Sequence, residues 1–388
     1  MANSNLTNAK NAKNDEFYTQ YHDIEKEISA YLELNPKVFK GKTILLPCDD
    51  PEWSNFTKYF AQNFERFGLK KLISTSYAAE SKSYKGVYQP TLFEEEDPQF
   101  DRKKTKTNGK IFTLTRDKSR DGRINIDDLE WRYLKGDGDF RSLEITKLRD
   151  KADIVITNPP FSLFREFLVW LTKGKKQFLV ISNINAITYK EVFPLIKTDK
   201  IWVGATNFNT GMYFKVPKDF KYADSYKFER VKNGENVNRV PGVCWFTNLD
   251  HGRRHQPLQL MTMEQNLKYS KHKEIKGRAY QTYDNYNAIE VPFADAIPKD
   301  YKGIMGVPIS FLNKYSPEQF NIMGMCENEN LYNLKTKVYS TAECKRAYFR
   351  KFKKTGTYDL NASGVVFRNG ILDKVYQRIL IKHKKIKK

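Results

Sequence analysis

Apolar positions between residues 17 and 32 recur near helical spacing, which predicts a first helix behind a polar, Asn/Lys-rich start. The run Lys42-Thr-Ile-Leu-Leu46, closed by Pro47, reads as a buried strand, and the aromatic-rich stretch 54–67 reads as the helix after it. Lys71-Leu-Ile-Ser-Thr75 repeats the strand pattern. From 81 to 134 the chain turns polar, with an acidic run at 94–97 and a basic cluster at 102–106. This predicts an insertion over 81–134, whose hairpin pairs 111–114 with 124–126. Strands follow at 153–156, 178–182 and 200–203, with a helix at 163–171 between the first two. Such alternation predicts an open α/β sheet with right-handed crossovers. From Tyr213 the pattern becomes hairpin-like, through Gly242-Val-Cys-Trp-Phe-Thr247, and periodicity lapses at 250–257. The boundary expected there divides a domain over 14–250 from a second region over 251–388.

A chain of 388 residues can bury a core of that size twice over or once with large insertions. Its net charge of +21 favours a polyanionic partner, because neutralising phosphates releases condensed counterions. The charge is unevenly placed: residues 331–388 hold 16 Lys/Arg against 3 Asp/Glu, or +13 of the +21. Tyr339, Tyr348, Phe349, Phe352, Tyr358, Phe367 and Tyr376 interleave with those charges, which argues for a folded nucleic-acid surface over a solvated tail. The N-terminus lacks the apolar core of a signal peptide, and no window approaches the roughly 20 apolar residues of a membrane helix. Cys48, Cys244, Cys326 and Cys344 are far apart and show no paired metal spacing, which suits a reducing compartment. A soluble, cytoplasmic protein with no membrane partner is expected.

The most specific signal is Asn158-Pro-Pro-Phe161, directly after the strand ending at Thr157. Open α/β sheets bind ligands beyond the carboxyl ends of their strands, so this loop lies where a reacting base would be presented. The exocyclic amine of adenine is a poor nucleophile, its lone pair delocalised into the ring. Two rigid acceptors, the Asn158 side-chain oxygen and the Pro159 carbonyl, would take its two N–H bonds and localise that pair. Pro160 stiffens the loop and removes a competing backbone N–H. Phe161 would stack on the extruded base, a contact of about 1–3 kcal/mol. The plainer reading is a Pro-Pro turn ending a strand.

Together with Asn14-Asp-Glu-Phe-Tyr-Thr-Gln20, Leu46-Pro-Cys-Asp-Asp-Pro51, Gly136-Asp-Gly-Asp-Phe140, Met305-Gly-Val-Pro-Ile-Ser-Phe-Leu312 and Pro317-Glu-Gln-Phe320, that loop makes the chain resemble the EcoRI-type adenine-specific DNA methyltransferases. The resemblance spans about 14–324 and continues toward Arg378-Ile-Leu-Ile381. It implies a seven-stranded S-adenosylmethionine-dependent methyltransferase sheet followed by a C-terminal target-recognition region. S-adenosylmethionine is then the cofactor and double-stranded DNA the partner; no metal is expected, and a monomer or weak dimer is. By the same resemblance Phe17, Tyr18 and Thr19 contribute to the methionine end of the cofactor site. Asp49 and Asp50 close the first strand where such enzymes carry a Gly-rich loop; here Pro47 and Pro51 frame the turn instead. Asp139 resembles the acid that accepts from the cofactor's adenine, with Phe140 packed beside it. The usual acid after the second strand is replaced by Thr75-Ser76-Tyr77, and Asp50 is expected to substitute. From the residues alone, Asp49-Asp50 reads as well as a helix cap, and Asp139 as a turn residue.

Three weaker signals are the calcium-loop spacing of 117–128, which carries Lys118, Arg120 and Arg123; His251 and His255, four apart; and the basic run at 382–388. The Asn158 loop also suits a base in RNA or a glutamine amide in protein. A DNA-binding module with an inactive methyltransferase fold is a third reading.

Overall fold

The computed structural model describes residues 18–51, 54–78, 97–207, 212–215, 228–232 and 235–384. They pack as two compact units, one reaching to Ile196 and taking in Lys200–Gly252, the other comprising Lys197–Asp199 and the residues from Arg253 onward.

In the first unit, helix α1 (Tyr21–Leu34) buries Ile24, Ile28 and Tyr31 on one stripe. The sheet holds β1 (Thr43–Leu46), β2 (Lys71–Thr75), β3 (Lys110–Leu114), β4 (Glu130–Tyr133), β5 (Ile154–Thr157), β6 (Gln177–Asn183), β7 (Trp202–Val203) and β8 (Val243–Thr247). Their order is β4-β3-β2-β1-β5-β6-β8-β7. β2, β1, β5 and β6 are parallel, and β8 lies antiparallel between β6 and β7. Every residue of β1 and β5 is buried, as a parallel strand covered on both faces requires. Helices α2 (Asn55–Gln62), α3 (Leu143–Lys151) and α4 (Phe164–Lys173) follow β1, precede β5 and follow β5.

Two expectations are corrected. The stretch 81–134 is not simply an insertion, because β3 and β4 are two strands of this sheet; residues 79–96 lie outside the described residues. The partner of β3 is Glu130–Tyr133 and not 124–126. Asn125 caps a 3-10 turn through a capping box with Asp128, which takes Ile126 out of extended conformation, and Ile124 and Ile126 pack against the core. The sheet also has eight strands against the seven expected.

The second unit contains β9 (Ala288–Glu290), β10 (Ile304–Pro308), β11 (Phe320–Met325), helix α5 (Thr341–Phe352), β12 (Val365–Arg368), β13 (Ile371–Lys374) and β14 (Arg378–His383). β9, β10, β14 and β11 form one sheet in that order, and β12 and β13 a hairpin. Asn369 and Gly370 turn that hairpin at φ 52° and 72°, the left-handed pair a two-residue type I′ turn demands. Arg378 is buried against Glu290 at 2.6 Å. Among the described residues no helix is long and apolar enough to cross a membrane.

Candidate active site

Chain order reverses between β1 and β5, since β1 leads to β2 on one side while β5 and β6 lie on the other. That is the topological switch point, where such sheets bind ligands. The loop after β1 is tied down by hydroxyl groups. Thr75 Oγ1 donates to the Pro47 carbonyl (2.9 Å), and Thr57 Oγ1 (3.2 Å) and Ser74 Oγ donate to the Asp49 carbonyl. Asp49 is 4% exposed, and both carboxylate oxygens are engaged: Oδ1 accepts from Ser54 Oγ (2.6 Å) and Oδ2 from Thr157 Oγ1 (2.5 Å). Burial pushes this carboxyl up to about 7, against the lowering effect of the two hydroxyls. Ser54, not Asp49 or Asp50, caps α2, accepting from the Phe56 amide at 3.1 Å. Asp50 is half-buried beside it, its carbonyl accepting from Ser54 N at 2.7 Å.

Thr157 is the last residue of β5, so the Asp49 bond fastens the first loop to the start of the Asn158 loop across the switch point. Asn158 and Pro160 are half-buried and Pro159 is buried. Phe161 opens a 3-10 turn leading into α4, half-buried with one side against the hydrophobic core.

Asp139 is brought to the end of β2. Gly138 has φ 91°, and a Cβ there would lie 2.3 Å from the Ser76 carbonyl, so only glycine allows the approach. Tyr77 Oη donates to Asp139 Oδ2 at 2.9 Å, and Arg141 grips the same carboxylate through Nε (3.0 Å to Oδ1) and Nη2 (2.6 Å to Oδ2). Burial raises the Asp139 carboxyl, but Arg141 and Tyr77 outweigh it and hold the group below its usual range. Arg141 also donates to Glu166 on α4 at 2.9 Å. Phe140 is buried edge-on to Phe167 (5.0 Å) and Trp170 (5.7 Å), so its ring belongs to the core.

Phe17 lies outside the described residues, as does the side chain of Tyr18. Thr19 pairs with Phe214, and its carbonyl accepts from Asn55 Nδ2 (2.8 Å) at the start of α2. Its Oγ1 is buried and has no hydrogen-bond partner among the described residues. A buried hydroxyl in that condition costs about 1–3 kcal/mol, which a ligand's polar group would recover. The residues present therefore fit a polar cofactor end beside α2.

The structure thus joins Thr19, Pro47, Asp49, Asp50 and the Asn158 loop around β1, β5 and α2, and sets Asp139 at the end of β2. Sequence reasoning gave no role to Ser54, Tyr77, Arg141 or Thr157; of these Ser54, at the start of a predicted helix, and Tyr77, in the place of the usual acid after the second strand, carried a signal. In the calcium-like loop the carboxylates close on its own amides: Asp128 accepts from Lys118, Ser119 and Asn125, and Asp117 from Arg120 and Gly122. His251 bonds the Val203 carbonyl (3.0 Å) and His255 bonds Glu318 (2.8 Å).

A parallel core, its first loop locked by a buried carboxylate and an Asn-Pro-Pro-aromatic loop across the switch point, defines an α/β methyltransferase. The family model described as adenine-specific methyltransferase EcoRI matches residues 5–384. The type II methyltransferase M.EcoRI of Escherichia coli is 42% identical over 322 residues, 83% of this chain and 89% of that protein. M.MpnI of Mycoplasma pneumoniae is 36% identical over 85% of this chain and 89% of its own length, and M.MgeORF184P of Mycoplasma genitalium 35% over 85% and 90%. The chain belongs to the EcoRI-type adenine-specific methyltransferase family. No solved structure matches it.

Proposed function

We propose that this enzyme transfers the methyl group of S-adenosylmethionine to the exocyclic amine of an adenine flipped out of double-stranded DNA. The observation that carries the reading is the Asn158-Pro-Pro-Phe161 loop, fastened by Thr157 to Asp49 at the switch point. Asn158 Oδ1 and the Pro159 carbonyl accept the two amine hydrogens, and the prolines hold those acceptors rigid. Phe161, anchored on one side by the core, offers its other face to the base. Flipping costs a few kcal/mol.

When bound, S-adenosylmethionine supplies an electrophilic sulfonium methyl group. Thr19, Asp50 and the backbone of the Pro47 turn line its site, and family resemblance assigns Phe17 and Tyr18 to it as well. Asp139, oriented by Tyr77 and Arg141, receives the cofactor's adenine. Asp49 is buried and doubly engaged, so it positions the two loops and does not bind cofactor directly. Holding both partners in line is the main source of acceleration.

We read the seven-stranded methyltransferase plan in β3-β2-β1-β5-β6-β8-β7 of the eight-stranded sheet, taking β4 as an added edge strand. Residues 14–250 form the catalytic domain and 251–388 the target-recognition region, working as a monomer or weak dimer in the cytoplasm. The test is transfer of a tritiated methyl group to duplex DNA, structured RNA and protein in parallel. Label appearing as N6-methyladenine in duplex DNA supports the reading; label only in RNA or in glutamine of protein overturns it.

A further inference from the structure

Helix α5 presents a face that the fold leaves unused. Its inner side, Cys344 and Ala347, is buried against Tyr339, Tyr358, Leu360 and Val365, and a capping box between Ser340 and Glu343 fixes its first turn. On the outer side Lys345, Arg346, Phe349 and Arg350 fall on one stripe, all exposed. Lys353, at the left-handed C-cap (φ 54°), and Lys354 continue it. The neighbouring acids are engaged elsewhere: Asp373 holds Lys351 and Arg368, and Glu343 holds Ser340. Lys345, Arg346, Arg350, Lys353 and Lys354 make no ion pair among the described residues.

Five cations therefore line about 14 Å of helix and cap, at the 1.5 Å rise of an α-helix. Phe349 sits among them, 55% exposed. Beside them runs an open groove of about 560 Å³, lined by Lys345, Phe349, Thr355, Gly356 and Thr357. A Cβ at Gly356 would meet the Tyr348 ring at 2.4 Å, so glycine is what lets this segment lie on the ring and wall the groove.

We propose that α5 is the helix that docks on substrate DNA, its outer face entering the major groove with the cations on phosphates and Phe349 against base edges. This rests on the reading of duplex DNA as substrate. Like charges held together on a rigid helix repel one another, and a polyanion relieves that repulsion. A duplex offers one negative charge per about 1.7 Å. Its major groove, about 12 Å wide, admits a single helix, and an apolar ring there meets thymine methyl groups.

The test compares the intact protein with Lys345→Ala/Arg346→Ala/Arg350→Ala, and with a charge-matched control, Lys147→Ala/Lys151→Ala/Lys173→Ala, on helices of the other unit. Duplex affinity is measured by anisotropy from 50 to 200 mM salt, beside cofactor affinity and a melting curve. The α5 variant should bind duplex roughly tenfold or more weakly, with its log–log salt slope shallower by about 2–3, at unchanged melting temperature and cofactor affinity. The control should keep the slope of the intact protein. Equal slopes in all three proteins, or a loss shared by the control, would overturn the proposal. A loss confined to structured RNA would do the same. Absence of duplex binding by the intact protein would instead overturn the substrate reading, and the proposal with it.

Discussion

Asp49→Asn isolates the cost of the carboxylate buried between the two loops. In the folded protein burial holds Asp49 at about 7, against an ordinary value of 3.8. At about 1.4 kcal/mol per pH unit, that displacement disfavours the folded state by about 4 kcal/mol once the group ionises. Because the folded pKa is raised, the folded chain retains a proton that the unfolded chain has lost between pH 4 and 7. Stability from this group is therefore fully present below pH 4, falls as pH rises, and reaches its lower plateau above pH 7. Asparagine removes the titration while keeping the bridge: its oxygen accepts from one hydroxyl and its amide donates to the other, since a hydroxyl serves either way. Urea unfolding of both proteins from pH 4 to 9 should show the variant gaining on the wild type across that window, by up to about 4 kcal/mol less about 1 for a weakened hydrogen bond. A difference that stays flat from pH 4 to 9 would refute the assignment of a proton-holding, fully buried Asp49.

Asn158→Ala should lose methyl transfer by at least a hundredfold, roughly 2.7 kcal/mol or more, with cofactor affinity by calorimetry unchanged; near-normal turnover would remove Asn158 from the chemistry. Asp139→Ala should weaken cofactor binding while leaving DNA affinity without cofactor intact, and equal cofactor affinity would take Asp139 out of the site. Phe161→Ala should lower productive complex five- to a hundredfold, matching about 1–3 kcal/mol of stacking, whereas Phe161→Trp keeps most activity. A collapsed melting temperature with only proportionate loss of rate would place Phe161 in the core.

Much of the central sheet was legible because both its faces are covered. β1, β2, β5, β6 and β8 are apolar runs, and their observed bounds fall within a residue or two of the reading. The edge was not legible, for the opposite reason. Glu130–Tyr133 alternates exposed and half-buried residues, while the more apolar 124–126 segment attracted the strand assignment until the Asn125–Asp128 capping box turned it into a 3-10 helix. At the site, the Asn158 loop announced itself by composition. The partnership of Asp49 with Thr157 could not, since the two are 108 residues apart and an aspartate in sequence gives no sign of burial.

The loop after β1 shows how this chain manages without the glycines usual at that turn. Glycines let a backbone approach a ligand, at the cost of freedom lost on folding. Here Pro47 and Pro51 restrict the turn, and hydroxyls of Thr57, Ser74 and Thr75 satisfy its carbonyls from the helix and strand alongside. Those hydroxyls are buried and hydrogen-bonded, so they add no unsatisfied polar group to the core. The same loop then sends Asp49 sideways to Ser54 and Thr157, so α2, β1 and β5 share one polar node. A ligand ordered by that node is ordered together with the Asn158 loop, because no element of the node can shift without breaking a buried bond. On the proposed reading, the rigidity that methyl transfer requires between donor and acceptor rests on this one carboxylate, with Asp49 acting as a positioning residue between the two loops.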